Sequence, residues 1–241
     1  MSIFSENNLA QRRKGAKEAR KDAECCLFLA SSSLRLCAFA RNFFRLKLAT
    51  DWSVIILNPL KINTDRLELI AGTHELAQAD LESRAHFSEL LEARVPEDWP
   101  PPLNDRDSQQ WFARYLAEHP DGTGWMTWYF VLHESEAGER IAIGNGGFKG
   151  LPTADGTVEV GYSIIEKFQG TGYATEAVAA LIKWAFAYPQ VTRVIAETYP
   201  ELTKSVRVME KNGLTFIGDG SEERVIRYEL TREAFEASSR L

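Results

Sequence analysis

Val158-Glu159-Val160-Gly161-Tyr162-Ser163-Ile164-Ile165 runs through Glu166-Lys167-Phe168 into Gln169-Gly170-Thr171-Gly172-Tyr173-Ala174. The first segment alternates as a strand does. Val158, Val160, Tyr162 and Ile164 share one face, and Glu159, Gly161 and Ser163 share the other. One face packs and the other can line a cleft. Downstream, Ala174, Ala177, Val178, Leu181, Ile182 and Ala185 recur at helical spacing up to Pro189. A glycine-rich turn between a strand and a helix lets the backbone approach a ligand, and the helix start offers unpaired N–H groups and a partial positive charge. Such a turn suits phosphate.

Working outward, Arg66-Leu67-Glu68-Leu69-Ile70 reads as a half-buried first strand, and residues 74–92 and 105–118 as two amphipathic helices separated by Trp99-Pro100-Pro101-Pro102. Trp125–His133 and Arg140–Phe148 read as a hairpin. Beyond the central helix come a strand (Val191–Thr198), a helix (Leu202–Lys211) that Asn212-Gly213 can end, and two short strands, Leu214–Ile217 and Arg224–Leu230. The order predicts an α+β (mixed α/β) domain around a single sheet.

Two phosphate-binding alternatives fail on spacing. A Walker loop needs Lys and then Ser or Thr after its last glycine, and Tyr173 follows Gly172. A dinucleotide fingerprint needs Gly or Ala where Thr175 stands, and an acidic residue ending the next strand where Thr198 stands. The stretch does match Gln/Arg-x-x-Gly-x-Gly/Ala, and in this it resembles the coenzyme A loop of the GNAT superfamily of N-acetyltransferases. Gly172-Tyr173-Ala174-Thr175-Glu176-Ala177, the opening Thr64-Asp65-Arg66-Leu67 and Ser205-Val206-Arg207-Val208-Met209-Glu210-Lys211-Asn212-Gly213 are similar to the RimJ/RimL branch, which acetylates ribosomal-protein N-termini. The resemblance covers about residue 64 to Leu230. It departs at Leu202, where the branch commonly has Asn, and at Leu214, where it has an aromatic.

The resemblance implies a twisted, mostly antiparallel sheet flanked by helices, acetyl-CoA as cosubstrate and no metal. Gln169, Gly170, Thr171, Gly172, Tyr173 and Ala174 would hold the diphosphate, with backbone N–H groups near Ile164 and Ile165 along the pantetheine arm. Acetyl transfer needs a neutral amine, a stabilised oxyanion and a protonated or tolerated thiolate. Glu159, on the small polar face of its strand, is the candidate base, against the alternative of an exposed carboxylate; Glu222 and Glu223 are rivals. Ser205 matches the serine that meets the sulfur in the branch, against the alternative of a helix-start hydrogen bond. His74, His86, His119 and His133 have no ligand spacing, and Trp111, Phe112 and Tyr115 read as core or cleft wall.

Charge divides the chain. Its 241 residues carry 28 basic and 34 acidic side chains, of which the first 60 hold 10 and 5, leaving 18 against 29. An acidic main domain attracts cationic acceptors. All three cysteines (Cys25, Cys26, Cys37) lie in the basic segment, so the main domain has no thiol nucleophile. Arg35, Arg41, Arg45 and Lys47 interrupt the only greasy region, so no membrane partner is expected. These features predict a poorly ordered basic extension over 1–60, a transferase domain over 61–241, and a soluble, cytoplasmic protein. A nucleic-acid partner is not expected, and a homodimer is admitted. The expected acceptor is a primary amine, foremost a protein or peptide N-terminus. The alternatives are a small-molecule amine, or a catalytically silent acyl-CoA-binding module tethered to RNA by the basic arm.

Overall fold

The computed structural model describes residues 60–102, 104–133 and 138–238. The expectations for the basic extension, apart from Leu60, lie outside the described residues. From the start of the described chain, β1 (Lys61–Asn63) and β2 (Leu67–Ala71) form a hairpin, followed by α1 (His74–Glu82), α2 (Arg84–Leu91) and α3 (Arg106–Glu118). Next come β3 (Thr127–Leu132), β4 (Ile141–Phe148), β5 (Thr157–Ile164), α4 (Tyr173–Phe186) and β6 (Arg193–Thr198). The chain continues through α5 (Thr203–Lys211), β7 (Thr215–Asp219), β8 (Ile226–Thr231) and α6 (Arg232–Ser238).

The eight strands make one sheet in the order β1-β2-β3-β4-β5-β6-β8-β7. Every pairing is antiparallel except β5 with β6. The expected mixed α+β architecture with a mostly antiparallel sheet is therefore present. Three local features go beyond the sequence reading. β1 and α6 were not expected, and the single helix expected over 74–92 is two. Ser83 interrupts it with an extended backbone (φ −150°, ψ 103°), and its side chain accepts from the His86 N–H at 3.3 Å. Serine competes with helical backbone hydrogen bonding in this way, and no glycine or proline marks the break.

Helices cover both faces of the first half of the sheet. On one, Ala177, Val178, Leu181 and Ile182 of α4 pack on Leu67, Leu69, Trp128, Phe130, Ile143 and Val160. On the other, Leu76, Phe87 and Leu91 of α1 and α2 pack on Ile70, Tyr129, Val131 and Ala142. Two covered faces explain why β2 is buried throughout rather than alternately. Glu68 is buried with it, and Arg140 and Lys61 both pair with its carboxylate. The α3 aromatics pack on one another, Trp111 with Phe112 and with Tyr115 at 5.3 Å between ring centres.

The functional geometry comes from one short pairing. β5 and β6 are registered only over Thr157–Glu159 against Arg193–Ile195. Beyond Glu159, β5 stays with β4 to Ile164, while β6 stays with β8 to Thr198. The sheet therefore parts in its middle, and Glu159 stands where the strands separate.

Candidate active site

Strand alternation decides which groups face the opening. Glu159 O and Ile165 N bond to β4, at 3.0 Å to Lys149 N and 2.9 Å to Ile143 O. The main-chain groups of the odd-numbered residues of β5 thus point to β4, and those of Tyr162 and Ile164 point to the opening. Of the two amides expected along the pantetheine arm, Ile164's faces the opening, and Ile165's is engaged inside the sheet. The Ile164 carbonyl accepts from Gln169 Nε2 at 2.9 Å, and Gln169 Oε1 accepts from Lys204 Nζ at 3.3 Å. Gln169 thereby ties the turn to β5 and to α5.

The turn itself is open. Gly170 and Gly172 have φ of 82° and 90°, in the left-handed region that glycine enters at little cost. Gly172 caps α4 without a side chain, and the first intrahelical bond is Glu176 N to Gly172 O at 3.0 Å. Among the described residues, no acceptor meets the amides from Gly170 to Thr175. These six N–H groups and the helix dipole form a cradle for an anion.

The turn is braced from the far end of the chain. Glu176 accepts from Thr64 Oγ1 (2.7 Å), Arg66 N (2.8 Å), Arg66 Nε (2.7 Å) and Arg66 Nη2 (2.7 Å). Burial would raise its pKa, but these donors outweigh that and hold it below the ordinary value of 4.5. Arg66 Nη1 also donates to Thr171 O at 3.0 Å, and the guanidinium lies over the Tyr173 ring at 4.6 Å.

The two faces of β5 carry different chemistry. Glu159 pairs with Lys149, with Glu197 and Arg227 nearby on the same face. Burial raises the Glu159 pKa; Lys149 opposes the shift and Glu197 adds to it. Glu197 is itself saturated by Ser221 N (2.9 Å), Ser221 Oγ (2.6 Å) and Arg227 (2.6 Å), and these lower its pKa against the effect of burial. On the opposite face, the Tyr162 hydroxyl lies 3.0 Å from Ser205 O and 3.1 Å from Ser205 Oγ. Burial pushes the Tyr162 phenol up to about 12, so it stays protonated. Ser205 therefore makes this contact across the opening rather than capping its helix. Leu202, the residue before α5, supplies no side-chain cap and is 43% exposed.

Arg66, Lys149, Glu197 and Arg227 were not singled out from sequence. The partners of Arg66, Glu197 and Arg227 lie far away in the chain, 110 residues in the case of Arg66 and Glu176, whereas Lys149 meets Glu159 through the pairing of β4 with β5. Tyr162 had been read only as packing, although a buried tyrosine hydroxyl calls for a partner. No hydrogen bond or ion pair of the Glu222 or Glu223 carboxylates occurs among the described residues. The four histidines are dispersed; His74 bonds Ala113 O and His119 stacks on Tyr115. Among the described residues, no cluster of His, Cys, Asp and Glu could hold a metal, and no helix is long and apolar enough to cross a membrane.

A sheet parted beside an unpaired glycine-rich helix start offers a place for a ligand that carries phosphate. Residues 73–215 match the family described as Acetyltransferase (GNAT) domain, and the chain belongs to that family. It is an acetyl-CoA-dependent N-acetyltransferase. Among relatives, it is 25% identical over 153 residues to the uncharacterized N-acetyltransferase YjdG of Bacillus subtilis, across 63% of this chain and 88% of that protein. It is 35% identical over 78 residues to the uncharacterized N-acetyltransferase p20 of Bacillus licheniformis, across 32% of this chain and 43% of that protein. Two solved structures share the fold. A ribosomal-protein-S5-alanine acetyltransferase from Vibrio fischeri has a TM-score of 0.51 and 17% identity, covering 72% of this chain and 97% of its own. RimL, a ribosomal L7/L12 alpha-N-protein acetyltransferase in complex with coenzyme A, has a TM-score of 0.51 and 19% identity, covering 73% of this chain and 99% of its own.

Proposed function

We propose that the acceptor is the α-amine of a protein or peptide, as in the RimJ/RimL branch, and that the enzyme works in the cytoplasm. The supporting observation is the Glu159–Lys149 ion pair where the strands part. Burial raises the Glu159 pKa and Lys149 opposes the rise, so the carboxylate remains a weaker base than an amine. A terminal amine, with a pKa of about 7.7 to 8.0, is partly neutral near pH 7, whereas a lysine side chain, at about 10.4, needs far more help. The resemblance at Thr64–Leu67 and Gly172–Ala177 and the two ribosomal-protein acetyltransferases of like fold support the same reading.

In this mechanism the amides from Gly170 to Ala174 hold the diphosphate, with Gln169 fixing the turn, and the Ile164 N–H meets the pantetheine arm. Acetyl-CoA supplies the thioester. Glu159, directly or through a water, takes the proton from the incoming amine. The nitrogen forms a bond to the acetyl carbon, the carbon–sulfur bond breaks, and the departing thiolate accepts a hydrogen bond from Ser205 and takes its proton from water, to which Glu159 returns the proton of the amine. The residues fit this chemistry because the open amides of the turn are donors that an anion can meet and the main chain of Tyr162 and Ile164 faces the opening between β5 and β6.

The test is thiol release from acetyl-CoA with three acceptor sets: peptides with free N-termini, Nα-blocked lysyl peptides, and small polyamines or aminoglycosides. Free N-termini are expected to give the highest kcat/KM. Faster turnover of blocked lysyl peptides or small amines would overturn the peptide reading, and coenzyme A binding without turnover on any acceptor would favour the silent module.

A further inference from the structure

We propose that Arg66 is a positioning residue for the diphosphate: it sets the Thr171–Gly172 peptide plane and cancels the charge of Glu176 beside the turn. This rests on reading the turn as the coenzyme A diphosphate site. Arg66 Nη1 holds the Thr171 carbonyl at 3.0 Å. In a trans peptide the carbonyl and the following N–H point in opposite directions, so a carbonyl held toward Arg66 aims the Gly172 N–H away from it. Like the other amides from Gly170 to Thr175, the Gly172 N–H meets no acceptor among the described residues. A flexible glycine turn would otherwise sample other peptide orientations, since both Gly170 and Gly172 tolerate either sign of φ.

The charge balance has the same origin. Glu176 sits in the first turn of α4, favourably placed for the helix dipole but within reach of any anion bound at the turn. Arg66 meets it with Nε and Nη2 while Nη1 serves Thr171, a division of labour that requires a planar fork. Lysine can replace the charge but not the fork. Thr64 Oγ1 and the Arg66 N–H complete the carboxylate's bonding, so the whole β1–β2 turn braces the cofactor loop.

The experiment compares wild type, Arg66→Lys and Arg66→Ala with acetyl-CoA and with acetyl-pantetheine, which keeps the thioester arm but lacks the diphosphate. The best acceptor from the panel is used, and thermal melting confirms folding. For both variants the acetyl-CoA KM is expected to rise roughly 10- to 100-fold, the range of one or two charge-assisted hydrogen bonds, with kcat little changed. Their kcat/KM for acetyl-pantetheine should match wild type. Should Arg66→Ala fail to fold, Arg66→Lys carries the comparison alone. Equal losses on both donors would show that Arg66 merely supports the fold, and an unchanged acetyl-CoA KM would show that the brace is idle; either overturns the inference. Wild-type protein that binds no coenzyme A by calorimetry overturns the functional reading itself, and the inference with it.

Discussion

Glu159 and Ser205 approach the opening from opposite faces of the sheet, and the proposed mechanism gives them different tasks. A base must be ionised to act, so with the Glu159 pKa raised by burial, activity should fall as pH drops through that raised value. Lys149 opposes the rise, so Lys149→Ala should move the acid limb of the kcat/KM profile to higher pH, and Glu159→Gln should abolish that limb and lower kcat about 10²- to 10⁴-fold. A limb that stays put in Lys149→Ala would remove Glu159 from the role of base. Ser205→Ala and Tyr162→Phe should each slow turnover, and their effects should not add, because they interrupt one contact. Additive losses in the double variant would show that the two hydroxyls act separately. The placement of Glu159 and Ser205 beside the opening was legible in sequence, one through strand parity and the other through family resemblance. Tyr162 was not, since a hydroxyl contact between distant segments leaves no local pattern, nor was Lys149, which becomes the partner of Glu159 only once the register of β4 on β5 is known.

At the scale of elements, the strand–turn–helix from β5 to α4 was readable because each part has its own signature: a period of two, a glycine pair, a period near 3.6. The Ser83 break was not, because a serine inside an amphipathic pattern is ambiguous until its backbone is seen. β1 was hidden by its length of three residues. Gly147 in β4 illustrates a constraint that only three dimensions reveal: its φ is 144°, and an added Cβ would run into the Met126 carbonyl oxygen on the neighbouring strand. Gly147→Ala should cost about 3 kcal/mol or more, as a collision with backbone joined to an unfavourable dihedral. Urea unfolding measures it, and a loss below about 1 kcal/mol would mean the β3–β4 pairing yields more readily than its geometry suggests. At the far end of α4, Arg232 donates to Phe186 O (3.0 Å), Tyr188 O (2.7 Å) and Val191 O (2.7 Å), closing the helix where its carbonyls lack partners. Arg232→Ala should lower stability by about 2 kcal/mol while leaving acetyl-CoA KM unchanged in the folded protein.

For the molecule as a whole, acid should be destabilising. Glu68 is buried and Glu176 and Glu197 are half-buried, which alone would raise their pKa values, yet their cationic and hydroxyl partners bring all three below 4.5. A carboxyl with a depressed folded pKa stabilises above its unfolded value, and that contribution is lost as pH falls through the folded one. Asp80 and Glu159, raised by burial, shift the other way and offset part of the loss. The unfolding midpoint in urea should therefore decline below about pH 4.5. A midpoint that holds steady from pH 5 to pH 3 would mean these pairs are energetically neutral.

At the gap between β5 and β6 the main chain of Tyr162 and Ile164 faces the opening, and the turn beside it presents unpaired amides. A grip made of main chain does not depend on which residues carry it, provided the strands still diverge and the glycines still permit the turn. Proteins can thus differ at most positions, as two solved structures at 17 and 19% identity do, and keep the same backbone architecture.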